Sequence, residues 1–241
     1  MIKSKLVYLN KVSSKPKRSA YKRPTLHIQT VVHKLKTMQF EEDILIGLGC
    51  AFNEAELLGV EFDSERKLVA CTLNLLAIDV NGNIPDDRRI QLILKPISRI
   101  VASLRNGHWD DDLAPAVNFA PDKLLKIVQS FNASSIYGWE FINCQDDGFN
   151  RWKNRPSFDW KSDNYTGKEN TFDLFQEDGS RHLDIRIWFD DLITLNSKGK
   201  QLEISNLIET SNRVWEAINE NSEVTKEFGI IPLGSDPKLD I

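Results

Sequence analysis

The chain has 241 residues, of which 41% are hydrophobic and 27% charged, with a formal net charge of −4; that is enough apolar sequence to build a core and too much for a disordered chain. No uncharged run approaches the ~20 residues that cross a bilayer, and Leu6, Val7 and Leu9 are too soon followed by Lys11, Lys15, Lys17 and Arg18 to form a secretory signal. With Cys50, Cys71 and Cys144 odd in number and widely spaced, a disulfide framework is not expected either, and the composition predicts a soluble, cytoplasmic protein with reduced thiols and no membrane partner.

Charge is unevenly placed along the chain. Residues 1–40 carry ten Lys or Arg and no Asp or Glu, which leaves 21 basic against 35 acidic residues in the remainder, a net charge of −14 (21 − 35). Residues 1–37 read as a basic, disordered arm or as sequence upstream of a translation start at Met38. The clusters Lys15-Pro16-Lys17-Arg18 and Lys22-Arg23 would also suit a nucleic-acid arm or a transit peptide. The acidic body repels phosphate, so nucleic-acid binding is expected only if the arm is functional.

In the body, Leu58, Val60 and Phe62 alternate with polar residues and predict a half-buried strand. A polar turn at residues 64–67 leads to a second strand over Val69, Cys71, Leu73, Leu75 and Ala77, closed by Asn81-Gly82-Asn83. Ile90, Leu92 and Leu94 give the next strand face; Pro96 interrupts it before Ile100, Ala102 and Leu104 resume, which predicts an edge position or a bulge. Pro121 opens a helix carrying Leu124, Leu125, Ile127, Val128 and Phe131 on one face. Tyr137, Trp139 and Phe141 predict an aromatic strand, and residues 145–167 an irregular insertion.

Phe172 and Leu174, then Asp178-Gly179, then Leu183, Ile185, Ile187 and Phe189 predict a hairpin, because Asp-Gly between alternating runs supplies the positive φ of a tight turn. Residues 192–195 and 201–204 predict a further pair of short strands. Asn206 and Glu209 have capping-box spacing ahead of the stripe Leu207, Ile208, Val214, Trp215 and Ile218. Together these elements predict one α+β domain over residues 41–228: a mainly antiparallel sheet of hairpins, with one mid-chain helix and one C-terminal amphipathic helix packed on it. Residues 229–241 are expected to form a frayed tail.

Two places attract chemistry. His108-Trp109-Asp110-Asp111-Asp112 brings an imidazole and carboxylates close together, which makes His108 and Asp110 candidate metal ligands; the plain alternative is an acidic turn. In the second hairpin, alternation forces His182, Asp184, Arg186 and Trp188 onto the face opposite the core, a candidate binding strip. Its alternatives are a solvated face with ion pairs, or a face covered by residues 145–167. The aromatics of that insertion, interleaved with Arg151, Lys153 and Arg155, can be read as a stacking platform for single-stranded nucleic acid or as a small core of its own.

Gly47-Leu48-Gly49 lacks the third glycine of a dinucleotide loop, and no phosphate loop, Gly-x-Ser-x-Gly, paired-His or Cys-x-x-Cys motif occurs. The resulting expectation is a non-catalytic acidic binding protein, of the inhibitor or immunity type, that engages a basic protein partner without a cofactor. The alternative is a metal-dependent hydrolase that uses His108, Asp110, His182 and Asp184 around a divalent ion.

Overall fold

The computed structural model describes residues 38–111 and 114–228. The expectations for residues 1–37, for Asp112 and for residues 229–241 lie outside the described residues. The rest forms an antiparallel eight-stranded sheet with four α-helices, an α+β fold as the alternation predicts.

The strands are β1 (Ala55–Asp63), β2 (Leu68–Asn74), β3 (Arg89–Asn106), β4 (Ser135–Ile136), β5 (Phe158–Lys161), β6 (Asn170–Glu177), β7 (Arg181–Asn196) and β8 (Gln201–Leu202). Their order is β4-β1-β2-β3-β7-β6, with β5 also pairing to β3 and β8 to β7. The long strands β3 and β7 run antiparallel from Ile90↔Asn196 to Asn106↔Arg181 and form the spine. Pro96 therefore sits in a central strand rather than at an edge. It is tolerated because β2 stops pairing at Leu94, β5 begins at Arg99, and a bulge between Ile97 and Arg99 falls beside it. β7 continues through Asp190 and Asp191, where the sequence reads as two strands; β6 leaves it at Phe189 and β8 joins it at Thr194.

Hairpin β6–β7 turns as its sequence predicts. Asp178 Oδ1 accepts the backbone N–H groups of Ser180 and Arg181, both at 3.1 Å, and Gly179 takes φ +78°. The apolar residues of the spine face a core closed by α1 (Glu42–Phe52), α2 (Leu124–Gln129) and α4 (Ile204–Asn219). In that core Phe52 meets Phe141 and Phe172 edge-on, each at 5.8 Å.

Three local expectations change. The aromatic strand over Tyr137 to Phe141 does not form: β4 ends at Ile136 and Gly138 takes φ +154°; Phe141 is buried, whereas Tyr137 and Trp139 are exposed. The Asn206–Glu209 capping box does not form, since α4 starts three residues earlier, directly after β8, and Glu203 occupies the N-cap without a side-chain cap. Trp215, whose place on the apolar stripe predicts a core residue, is only half-buried, and its indole N–H donates to Cys50 O at 3.0 Å.

Helix α1 is not apparent in the sequence, because Gly47 and Gly49 weaken the helical signal. Close packing accounts for both. A Cβ on Gly47 would lie 2.7 Å from the end of the Ile208 side chain on α4, and one on Gly49 would lie 2.3 Å from the Trp139 carbonyl oxygen. Alanine for glycine in an exposed helix interior normally stabilises by about 1 kcal/mol. Here Gly49→Ala should lower the melting temperature, and more than Gly47→Ala does, because a backbone carbonyl yields less easily than a side-chain methyl. Equal or raised melting temperatures would contradict the packing.

Candidate functional site

His182, Asp184, Arg186 and Trp188 do share the face of β7 opposite the core. Pairing sets them beside Arg105, Ser103, Val101 and Arg99 of β3, and beside Glu177, Phe175, Asp173 and Thr171 of β6. The face is not left to solvent. Residues 145–167 place α3 (Asp147–Trp152) and Tyr165 over it while β5 extends the sheet beside β3, and a second small core forms there from Val101, Trp152 and Trp188. Trp188 is 4% exposed, with Phe149 and Tyr165 edge-on to it at 5.3 and 5.8 Å. The Arg99 guanidinium lies 4.8 Å from its ring centre and bonds both oxygens of Asp159 on β5 at 2.9 and 2.6 Å. The aromatics of the insertion are thereby dispersed: Phe158 and Trp160 pack against the main core, and Phe149, Trp152 and Tyr165 against Trp188.

The charged members of the strip are held in pairs. Arg186, 1% exposed, donates from Nε and Nη2 to the two oxygens of Asp173 at 2.6 and 2.8 Å, and from Nη1 to Asp146 ahead of α3. Asp184 accepts from Arg105 Nη2. Burial pushes its carboxyl up to about 6 despite the opposing pull of Arg105. His182 is fully buried: Nδ1 donates to Gly107 O at 3.0 Å, and Nε2 is enclosed without a partner. Burial lowers its pKa, so the ring is neutral. Burial, aided by Asp173, pushes the Cys144 thiol up to about 12, which removes it as a thiolate nucleophile.

His108 and Asp110 lie on the exposed loop after β3, joined through Nδ1 and Oδ1 at 2.6 Å. Their neighbour Gly107 touches His182, so both histidines lie near one end of the spine, but His182 turns inward and Asp184 is tied to Arg105. Among the described residues no group of three or more His, Cys, Asp or Glu side chains is placed to hold a metal ion.

What does converge is a pocket of about 340 Å³ between the strip and α3. Its aromatic walls are Trp109, Tyr137, Phe141, Phe149, Trp152 and Phe175. Its charged lining is Arg105, Arg151, Arg186, Glu140, Asp173 and Asp184, formally balanced when all are ionised. Of the predicted strip, Asp184 and Arg186 reach the pocket, and Trp109 joins them from the candidate metal loop. Arg105, Asp173 and Cys144 are additions the sequence does not single out, although hairpin register sets Asp173 opposite Arg186. Comparison of the chain with family models, with curated proteins and with solved structures returned no match.

Trp188→Ala should destabilise the fold by about 3–5 kcal/mol, as loss of a packed indole does; a melt unchanged from wild type would mean that the face is open. A carbon-detected titration of Asp184 should give a midpoint near 6, against ~3.9 for a free carboxyl. The folded state then holds a proton that the unfolded state has released, so this group's contribution falls as pH rises from about 4 to about 6. The stability advantage of wild type over Asp184→Asn should narrow across that window; an advantage that widens would contradict the burial of Asp184.

Proposed function

We propose that this chain is a non-catalytic binding protein, of the inhibitor or immunity type, whose recognition site is the mouth of the sheet-face pocket and whose partner is a protein with a basic contact surface. The observation that carries this reading is the pair of aromatic rings on the lip. Trp109 is 46% and Tyr137 56% exposed, both line the pocket, and Glu140 stands beside them. Large exposed aromatics around a concavity are the side chains that dominate binding hot spots. The net charge of −14 (21 − 35) beyond residue 40 steers a basic partner toward such a mouth.

The absence of catalysis in this reading rests on the state of the reactive groups. Cys144 is a thiol at neutral pH, His182 is enclosed and neutral, and Arg186 is fully engaged. A cytoplasmic setting agrees with three free cysteines. Among the described residues no helix is long and apolar enough to cross a membrane. One observation favours hydrolysis instead: a carboxyl raised to about 6 in a pocket, as Asp184 is, has the property of a general acid or base. A divalent ion near His108 and Asp110 would complete that alternative. It ranks second because Asp184 already shares its charge with Arg105.

Parallel affinity capture on the tagged full-length wild-type and Trp109→Ala chains, followed by titration of the captured partner, tests the reading. Trp109→Ala should weaken binding by about 2 kcal/mol or more and shift stability by no more than about 0.5 kcal/mol, as surface substitutions do. Unchanged affinity would place recognition elsewhere.

A further inference from the structure

The two arginines at the floor of the pocket are not equivalent. Arg186 spends Nε, Nη1 and Nη2 on Asp173 and Asp146. Arg105 is 4% exposed and lines the same pocket, yet its Nη2 bonds Asp184 while its Nε is buried without a partner. An unsatisfied guanidinium N–H in the interior costs free energy until an acceptor reaches it, and a planar carboxylate is the acceptor that matches the guanidinium fork. The walls beside it are aromatic: Phe149 and Trp152 on α3, Phe175 on β6 and Trp109 at the lip.

We propose that the floor is a carboxylate subsite, in which Arg105 receives the carboxylate of a ligand whose aromatic ring lies between these walls. The same chemistry is offered by a free aromatic acid and by the C-terminal aromatic residue of a protein. The volume of 340 Å³ lies within the ~300–1,000 Å³ of small-ligand sites. This inference rests on the pocket being the recognition site and adds what enters it: the acidic exterior steers the partner, and the floor selects the group.

The charge balance couples binding to a proton. The lining is neutral when every group is ionised, so an added carboxylate leaves one negative charge, which a proton on Asp184 cancels. Asp184 faces Arg105 from β3, Asp173 from β6 and Arg151 from α3, and lies between His182 and Arg186 on β7 itself. His182 is neutral, and burial raises the Asp184 carboxyl to about 6. Protonation loosens its hold on Arg105 and frees the guanidinium for the ligand, so the complex tightens as pH falls toward 6.

Calorimetric titration of the full-length chain with N-acetyl-phenylalanine and with its amide tests this directly, with the Trp109 indole N–H followed by NMR to locate the probe. The acid should bind at least about tenfold tighter than the amide, the ratio expected of a charge-assisted hydrogen bond, and should tighten between about pH 7.5 and about pH 5.5. Arg105→Met should abolish the preference. If that variant fails to fold, Asp184→Asn, which retains Arg105, should bind the acid more tightly than wild type and without the pH dependence. A tetrapeptide ending in free Phe that binds more tightly than the acid identifies a chain end as the source, and equal affinities a free acid. Equal binding of acid and amide would overturn the carboxylate subsite and leave the pocket reading standing. No binding of either probe, with no shift at Trp109, would overturn both.

Discussion

A guanidinium can stay inside a protein only where its charge is matched, and Arg186, with 2% of its side chain exposed, is matched by Asp173 across the β6–β7 pair and by Asp146 ahead of α3. Much of the second face of the sheet depends on that constraint. The bond to Asp173 matches the Arg186 charge within the hairpin, and Asp146 meets the same guanidinium at the start of α3. The aromatic cluster around Trp188 fills the space beside the pair. Burying a pair of this kind gains little by itself, because desolvation offsets the attraction, but removing one partner leaves a charge the interior cannot solvate. The pair therefore constrains which groups can be buried on this face more than it adds stability.

The sheet was legible because alternation and turn chemistry depend only on neighbouring residues. Asp178-Gly179 sets the register that places His182, Asp184, Arg186 and Trp188 on one face, and the same register, extended along β6, brings Asp173 to Arg186. What alternation leaves open is the destination of that face. A strip of His, Asp, Arg and Trp looks solvent-facing when read alone, and it is covered because residues 145–167, which have no regular period, supply α3 and Tyr165 above it. Helix α1 was hidden for a related reason: its glycines lower helix propensity locally and are justified only by Ile208 and the Trp139 carbonyl, which approach from far along the chain. The pocket was legible in fragments, as Trp109 in one motif and Asp184 and Arg186 in another, with nothing in the sequence to say that they meet.

In the proposed reading, the exterior and the floor of the pocket address different properties of a partner. Long-range attraction follows the net acidic charge and acts on approach, whereas the lining is balanced and acts after contact, through rings and one incompletely bonded guanidinium. A partner with a basic surface and an aromatic carboxylate at its point of entry satisfies both, without requiring the pocket itself to attract cations. His182 is buried beside this site and Cys144, half-buried on its lining, is held as a thiol.

Arg186 is interior, and Asp173 on the neighbouring strand is the partner that keeps its charge matched there. Chemical denaturation of Asp173→Ala and Asp146→Ala beside wild type measures this most directly. Asp173→Ala should cost about 3–5 kcal/mol, the consequence of stranding a buried guanidinium, while Asp146→Ala, whose carboxylate is 74% exposed, should change stability little. A loss of under about 1 kcal/mol for Asp173→Ala, the range of a surface ion pair, would contradict the account.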